Sequence, residues 1–314
     1  RAEVIVGNER AAIKETVHLD PGTFELHERK EHRLFASSRG VVHEAKSTTF
    51  QVRGSVRLRT EEGKIELVEE TGGRAFASVA CLPFGSVLGQ RATALLREKA
   101  LIGGPTRVLL PPRATGHLVA WLGDCFAMSS NRPGSTFLDA LDGPLHRKLH
   151  LVDDGLLNGG LRTRPFDDRG VPPTALTLIR EGHATGRYVD LRTAREREDR
   201  PTGHDAGGTL RATNLLLNAG TRSIHALLGE LGGTVFQVDA LPDTSGFNAQ
   251  TGRVDTVVHG TVLKGGKPIG AQRFLRMRGD LSVVLGQVVA VASDTDRILH
   301  VDAPGLFLDG FEFG

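Results

Sequence analysis

The chain is poor in cysteine, poor in large aromatics and without a long apolar run. Of its 314 residues only two are cysteine, Cys81 and Cys125, and Trp and Tyr occur once each. Two cysteines cannot build a disulfide framework, and these lack the short pairing of a zinc knuckle. Reduced thiols in a cytoplasmic protein are the expectation. No apolar run reaches the ~18 residues of a membrane span, so none is expected. Neither sign of charge dominates: 39 basic and 37 acidic residues give a formal net charge of +2. They are mixed along the chain, which argues against the concentrated basic footprint of a nucleic-acid binder. The opening "RAEVIVGNER" has no initiator Met and no charged-then-apolar layout of a secretory signal.

Glycine is what the chain has in abundance, 39 residues of it. That favours tight turns, short strands and hairpins over long helices. The length suits two domains better than one, and "LIGGPTRVLLPP" reads as a linker running into a buried strand. We therefore expect domains over 1–100 and 101–314. "AEVIVG" reads as a short strand, with "AIKETVHL" extending or following it as a second. "ELHERKEHRLFASSRGVVHEAKSTTFQVRGSVRLRT" alternates as a sheet with one wet face does, turning at Ser37-Ser38-Arg39-Gly40. A turn at Glu62-Gly63 and a break at Gly72-Gly73 follow. Helical spacing appears over 85–100, 115–130, 222–232 and 281–291. "TALTLIREGHATGRYVDL" and "TVVHGTVLKGGKPIGAQ" read as hairpins through Gly182 and Gly265-Gly266. The fold class is α+β: a mixed N-terminal domain, then one dominated by antiparallel sheet.

"HERKEH" (His27 to His32) matches His-Glu-x-x-x-His, a spacing used by some zinc peptidases. Zinc needs its ligands to converge at about 2.1 Å from one point. Five residues apart on a helix, at roughly 100° each, the rings diverge by roughly 140°; on a strand they fall on opposite faces. Arg29, Lys30 and Arg33 interleave them and would repel a dication. A polar strand is the better reading.

From residue 149 the order of phrases resembles the TldD/PmbA family of metallopeptidase-related proteins, also described as modulators of gyrase. "LHLVDDGLLNGGLRTRPFDDRGVPPTALTLIREGHATGRYVDLRTARE" is similar to its "VDD…GG…RPFD.EGVPT" region. "RPTGHD", "TNLLLNAG", "GFNAQTGRV", "TVLKGGKPIG" and the terminal "VVAVASDTDRILHVDAPGLFLDGFEFG" follow in the family's order. "LFASSRGVVHEAKSTTFQV" resembles an earlier segment more weakly. The Arg-Pro-Phe-Asp form resembles the PmbA (TldE) side of the family. The resemblance implies an additional N-terminal α/β region, shortened or missing here.

It also implies where metal would sit. In the metal-bearing subunit the His-Glu-x-x-x-His lies on the helix matching "ATGHLVAWLGDCFAMSS". The ungapped register sets Ala120-Trp121-Leu122-Gly123-Asp124-Cys125 against that motif. A late cysteine of the metal-bearing subunit has no counterpart in "RILHVDAPG". The resemblance thus implies a TldE-like subunit with no catalytic or metal residue of its own. A TldD-like partner in a heterodimer would supply zinc and general base, acting on peptides or peptide-like natural-product intermediates. His117, Asp124 and Cys125 are the candidate chamber-lining positions. Neither nucleic acid nor membrane is an expected partner.

Bland readings stand beside these. His117 and Cys125 suit a packed helix. Asp153, Asp154, Asp167 and Asp168 lie among glycines as turn-forming aspartates do. His183 and His204 read as solvated, and no G-x-S-x-G elbow or phosphate loop occurs. Two rival functions stay open: a self-contained metal-dependent hydrolase with a non-standard site, and a non-enzymatic homo-oligomeric binding protein. Metal content and copurification discriminate them.

Overall fold

The computed structural model describes residues 1–15, 18–102, 106–241 and 243–314. Thr16 and Val17, in the second strand expected early in the chain, and Gly103 to Pro105, in the expected linker, lie outside the described residues.

The chain opens with a helix, α1 (Ala2–Lys14), where a strand was expected. A short apolar run reads equally as helix or strand, and tertiary contact decides here. Ile5 and Ala12 lie on one face and pack into the first core, while the Asn8 side chain accepts from Gly85 N at 2.8 Å. A Cβ at Gly85 would collide with the Asn8 carbonyl, so the close approach requires glycine.

Strands β1 (Leu19–Ala36), β2 (Val42–Arg59) and β3 (Lys64–Gly73) form a 3-stranded antiparallel sheet in that order among the described residues. The turn after β1 closes by Ser37 N donating to Val41 O at 2.9 Å, with Gly40 at φ 81°. A register irregularity between Pro21 and Phe24 changes the parity of β1. Leu19, opposite Leu58, and Leu26, opposite Val52, thereby reach the same face. That face buries Val52, Val56, Leu58, Ile65 and Leu67 against α2 (Phe76–Ala80) and α3 (Phe84–Leu95). Each such side chain, fully buried, contributes roughly 1.5–3 kcal/mol. Helix α3 ends before the expected Ala100, because Leu96 N turns back onto Ala92 and Thr93. Ala100 N instead donates to Ala271 O at 3.1 Å.

The next elements are β4 (Arg107–Leu110), α4 (Pro112–Asn131), β5 (Leu151–Asp154), β6 (Ala175–Arg180), β7 (His183–Ala184), α5 (Leu191–Arg197), β8 (Asp205–Ala206) and β9 (Thr209–Leu210). Then come β10 (Leu215–Leu217), α6 (Ile224–Leu231), β11 (Thr234–Val238), β12 (Arg253–Lys264), β13 (Lys267–Asp280), α7 (Leu281–Val284), β14 (Val288–Ile298), β15 (Val301–Leu308) and β16 (Glu312–Phe313). Among the described residues they make an 11-stranded sheet ordered β16-β13-β12-β11-β4-β15-β10-β5-β6-β7, with β14 added beside β15. Most pairings are antiparallel; β11–β4 and β10–β15 are parallel. The fold is α+β, as the sequence suggests.

The helix expected over 281–291 is a single turn, α7, followed by strand β14. Asp280 caps that turn by accepting from Ser282 N at 2.9 Å, and the chain then leaves it through Gly286. Helix α4 lies on one face of the large sheet, burying Leu118, Leu122, Cys125 and Phe126 in its main core. Helix α6 covers the other face with Leu227 and Leu228. Among the described residues no helix is long and apolar enough to cross a membrane.

A buried charge cluster ties the two sheets together. Arg91 of α3 donates to both oxygens of Asp239 at 2.9 and 2.6 Å, to Glu69 at 2.8 Å and to the Val68 carbonyl at 2.7 Å. Arg113 of α4 reaches the same Glu69 at 2.8 Å.

Candidate functional cleft

His27 and His32 both lie on β1, opposite Gln51 and Lys46 of β2. The odd separation sends their rings to opposite faces. His27 meets Glu25 at 3.0 Å and His32 meets Glu44 at 2.8 Å. No common point exists for an ion to occupy between them.

The three candidate positions on α4 do not converge either. Cys125 is packed into the core, and its thiol is pushed up to about 12 by burial and by Asp124 beside it. His117 lies in a small pocket of about 70 Å³ with Glu69, Glu70 and Arg113. Its Nε2 is 3.9 Å from Glu70, and burial, with Arg113 and Arg91 adding to it, pulls the imidazole down to about 4. Asp124 alone faces a large cleft. Protein surrounds it on most sides although its tip meets solvent; burial raises its carboxyl above the ordinary value, and Arg162 and Arg211 pull the other way.

That cleft, of about 1560 Å³, separates the wet face of the first sheet from the second. One wall is the alternating set His27, Arg29, Glu31 and Arg33 of β1 with Ser47, Thr49 and Gln51 of β2. The other is a stripe of α4, Asp124, Ala127, Met128 and Asn131, with the segments around 158–165 and 209–213. The stripe recurs at helical spacing. Six arginines and Lys46 face four carboxylates, Glu28, Glu31, Asp124 and Asp168. Arg74 bridges the walls, donating to Gly160 O at 2.9 Å and to Thr163 O. Arg33 pairs across with Asp168, which also accepts from Gly207 N at 2.7 Å. None of these arginines was singled out in the sequence as a cleft residue, because they come from four distant segments.

Behind the cleft lies a buried polar hub. Asp153 is 0% exposed and accepts from Tyr188 OH at 2.7 Å, from Thr213 N at 2.8 Å and from the Thr213 hydroxyl. His204, expected in solvent, is instead fully buried with Nε2 3.6 Å from Asp153. Burial would raise the Asp153 carboxyl, but His204, Thr213 and Tyr188 hold it below the ordinary value. Asp153 is therefore a hub, whereas Asp154 and Asp167 are turn aspartates as read. Asp154 accepts from Leu156 N at 2.9 Å, and Asp167 from Arg169 N and Val171 N at 2.9 Å. His183 is exposed, as expected.

Among the described residues no group of three His, Cys, Asp or Glu side chains is placed to hold a metal ion. In the α4 register implied by the resemblance, Trp121 stands at the motif's glutamate. Its indole stacks on Phe137 at 6.0 Å and meets Phe247 edge-on at 5.4 Å.

Residues 103–314 match the family model described as the PmbA/TldA metallopeptidase C-terminal domain. Similar solved structures include a Thermotoga maritima protein described as a modulator of a DNA gyrase, at 20% identity and TM-score 0.88, covering 100% of this chain and 73% of that one. TldE from Thermococcus kodakarensis is similar at 17% identity and TM-score 0.83, again over 100% and 73%. A Bacteroides thetaiotaomicron protein described as a modulator of DNA gyrase gives 17% and 0.82, over 100% and 70%. At these identities the likeness is one of fold. No curated protein sequence matches the chain.

Proposed function

The chain belongs to the TldD/PmbA family, and on that premise we propose that it is the TldE-like, metal-free member of a two-chain zinc metallopeptidase. A TldD-like partner carries the zinc and the general base. The observation that supports this most is the filling of α4: a stacked Trp121 and a core Cys125 occupy two of the three positions where the metal-bearing subunit has its ligand-and-base motif. Zinc bound in the partner would polarise the scissile carbonyl and activate water. What this chain supplies is a wall that excludes folded proteins and orients an extended substrate. Strand β1 stands at the end of its sheet order, paired with β2, so its far edge suits strand addition by a peptide. The charged side chains along it guard against indiscriminate pairing. The substrate class is small or unfolded peptides, or peptide-like intermediates. In this reading 1–100 and 101–314 are separate domains, and the protein works in the cytoplasm.

Coexpression with a TldD-like relative, followed by size-exclusion chromatography and cleavage of unstructured peptides, tests the proposal. Cleavage should require both chains and stop on chelation. A partner equally active without this chain, or no complex between them, would reject it.

A further inference from the structure

We propose that Arg162 and Arg211, with Arg74 in the same cleft, form a subsite that binds a carboxylate of the peptide substrate. The inference rests on the reading above, in that it takes the cleft to hold substrate. Four arginines of the cleft, Arg74, Arg162, Arg164 and Arg211, make no ion pair among the described residues. The backbone positions Arg74, Arg162 and Arg164 instead. Arg162 Nη1 donates to Ala212 O at 3.2 Å, and Arg74 is fixed on the Gly160 and Thr163 carbonyls. A guanidinium carries five N–H donors, so these contacts orient the forks of Arg162 and Arg74 and leave most of their donors for a ligand. Arg164 Nε is buried with no partner, another cationic donor left open in the same segment.

Asp124 lies near enough to Arg162 and Arg211 to influence both, yet forms no ion pair with either. Burial of part of each side chain disfavours the charged form of Arg162 and Arg74, and Asp124 and Asp153 for the one and Glu31 for the other offset it only from beyond ion-pair distance. An anion seated there relieves that cost and gains charge-assisted, bidentate bonds. A polyanion fits poorly, because Glu28, Glu31, Asp124 and Asp168 line the same cleft. A single carboxylate fits: the α-carboxylate of a short peptide, or an Asp or Glu side chain.

The test measures binding of fluorescent, unstructured peptides to the purified chain and to the coexpressed pair by anisotropy, and cleavage by the pair. One peptide has a free C-terminus and no acidic residue, a second is its C-terminal amide, and a third is the amide with one internal Glu. We expect removal of the carboxylate to weaken binding about tenfold or more. The first or the third peptide binding better than the second identifies the source. Arg162→Gln and Arg211→Gln should each erase the difference, Arg162→Lys should restore part of it, and the exposed Arg192→Gln should change nothing. Equal binding of all three peptides, or stronger competition by single-stranded DNA, overturns the subsite even if the pair still cleaves. Carboxylate-dependent binding with no cleavage by the pair upholds the subsite and sinks the metallopeptidase reading instead.

Discussion

On the strand wall of the cleft, Arg33 is paired with Asp168 and reaches Glu31 at 3.7 Å, and Arg29 reaches the same Glu31 at 3.5 Å. On the facing wall Arg162 and Arg211 have no such partner among the described residues. The strand wall therefore resembles a solvated sheet face whose charges cancel locally. On the loop-and-helix wall Asp124 acts on Arg162 and Arg211 without pairing with either, which leaves their donors for a ligand. Arginine in a cleft thus says little until its partners are counted.

The comparison depends on the walls being held apart at a fixed spacing, and Arg91 is where that is most easily broken. Arg91→Ala should destabilise the protein by about 3–5 kcal/mol in denaturant unfolding, because it strands Asp239 as a buried charge and leaves Glu69 with Arg113 alone. Burial raises the Asp239 carboxyl, but Arg91 holds it below its ordinary value of 3.8. Its contribution is accordingly present above that value and lost as pH falls through the depressed folded value. Next in size is Gly85→Ala, which drives a methyl into the Asn8 carbonyl and should cost about 1–3 kcal/mol. Thermal melts of that variant should show a lowered midpoint.

His117 gives a pH-dependent handle on the same junction. Its folded value of about 4 lies below the 6.5 of an ordinary imidazole. Between those values the unfolded chain binds the extra proton, so stability should decline by on the order of 1–3 kcal/mol as pH drops from 6.5 to about 4. His117→Leu should flatten that interval in a series of melts at stepped pH. The smallest effect belongs to the strand wall: Arg29→Gln should change stability by less than about 0.5 kcal/mol and leave peptide binding as it was. A loss there as large as at Arg162 would erase the distinction between the walls.

Much of the fold was legible because hairpins announce themselves locally. Gly265-Gly266 and Ser37 to Gly40 turn where the glycines demand it, at positive φ. Helix α1 was misread because "AEVIVG" alternates like a strand, and only its packing against α3 shows which period matters. The helix expected over 281–291 failed because an apolar run with one glycine conceals a strand as readily as a helix. The cleft itself was invisible in sequence. Arg33, Arg74, Arg162 and Arg211 lie far apart along the chain, and nothing local marks them as neighbours. His204 shows the same limit: a histidine among Gly, Thr and Asp reads as solvated, yet Asp153 and Tyr188 enclose it from distant strands.

The division of labour between two chains is tested most directly by metal content. Zinc should be quantified by plasma mass spectrometry on this chain purified alone and on its complex with a TldD-like partner. The account predicts stoichiometric zinc in the complex, following the partner's motif, and only traces in this chain alone. Stoichiometric zinc in the lone chain, lost on His32→Ala or Cys125→Ser, would contradict it.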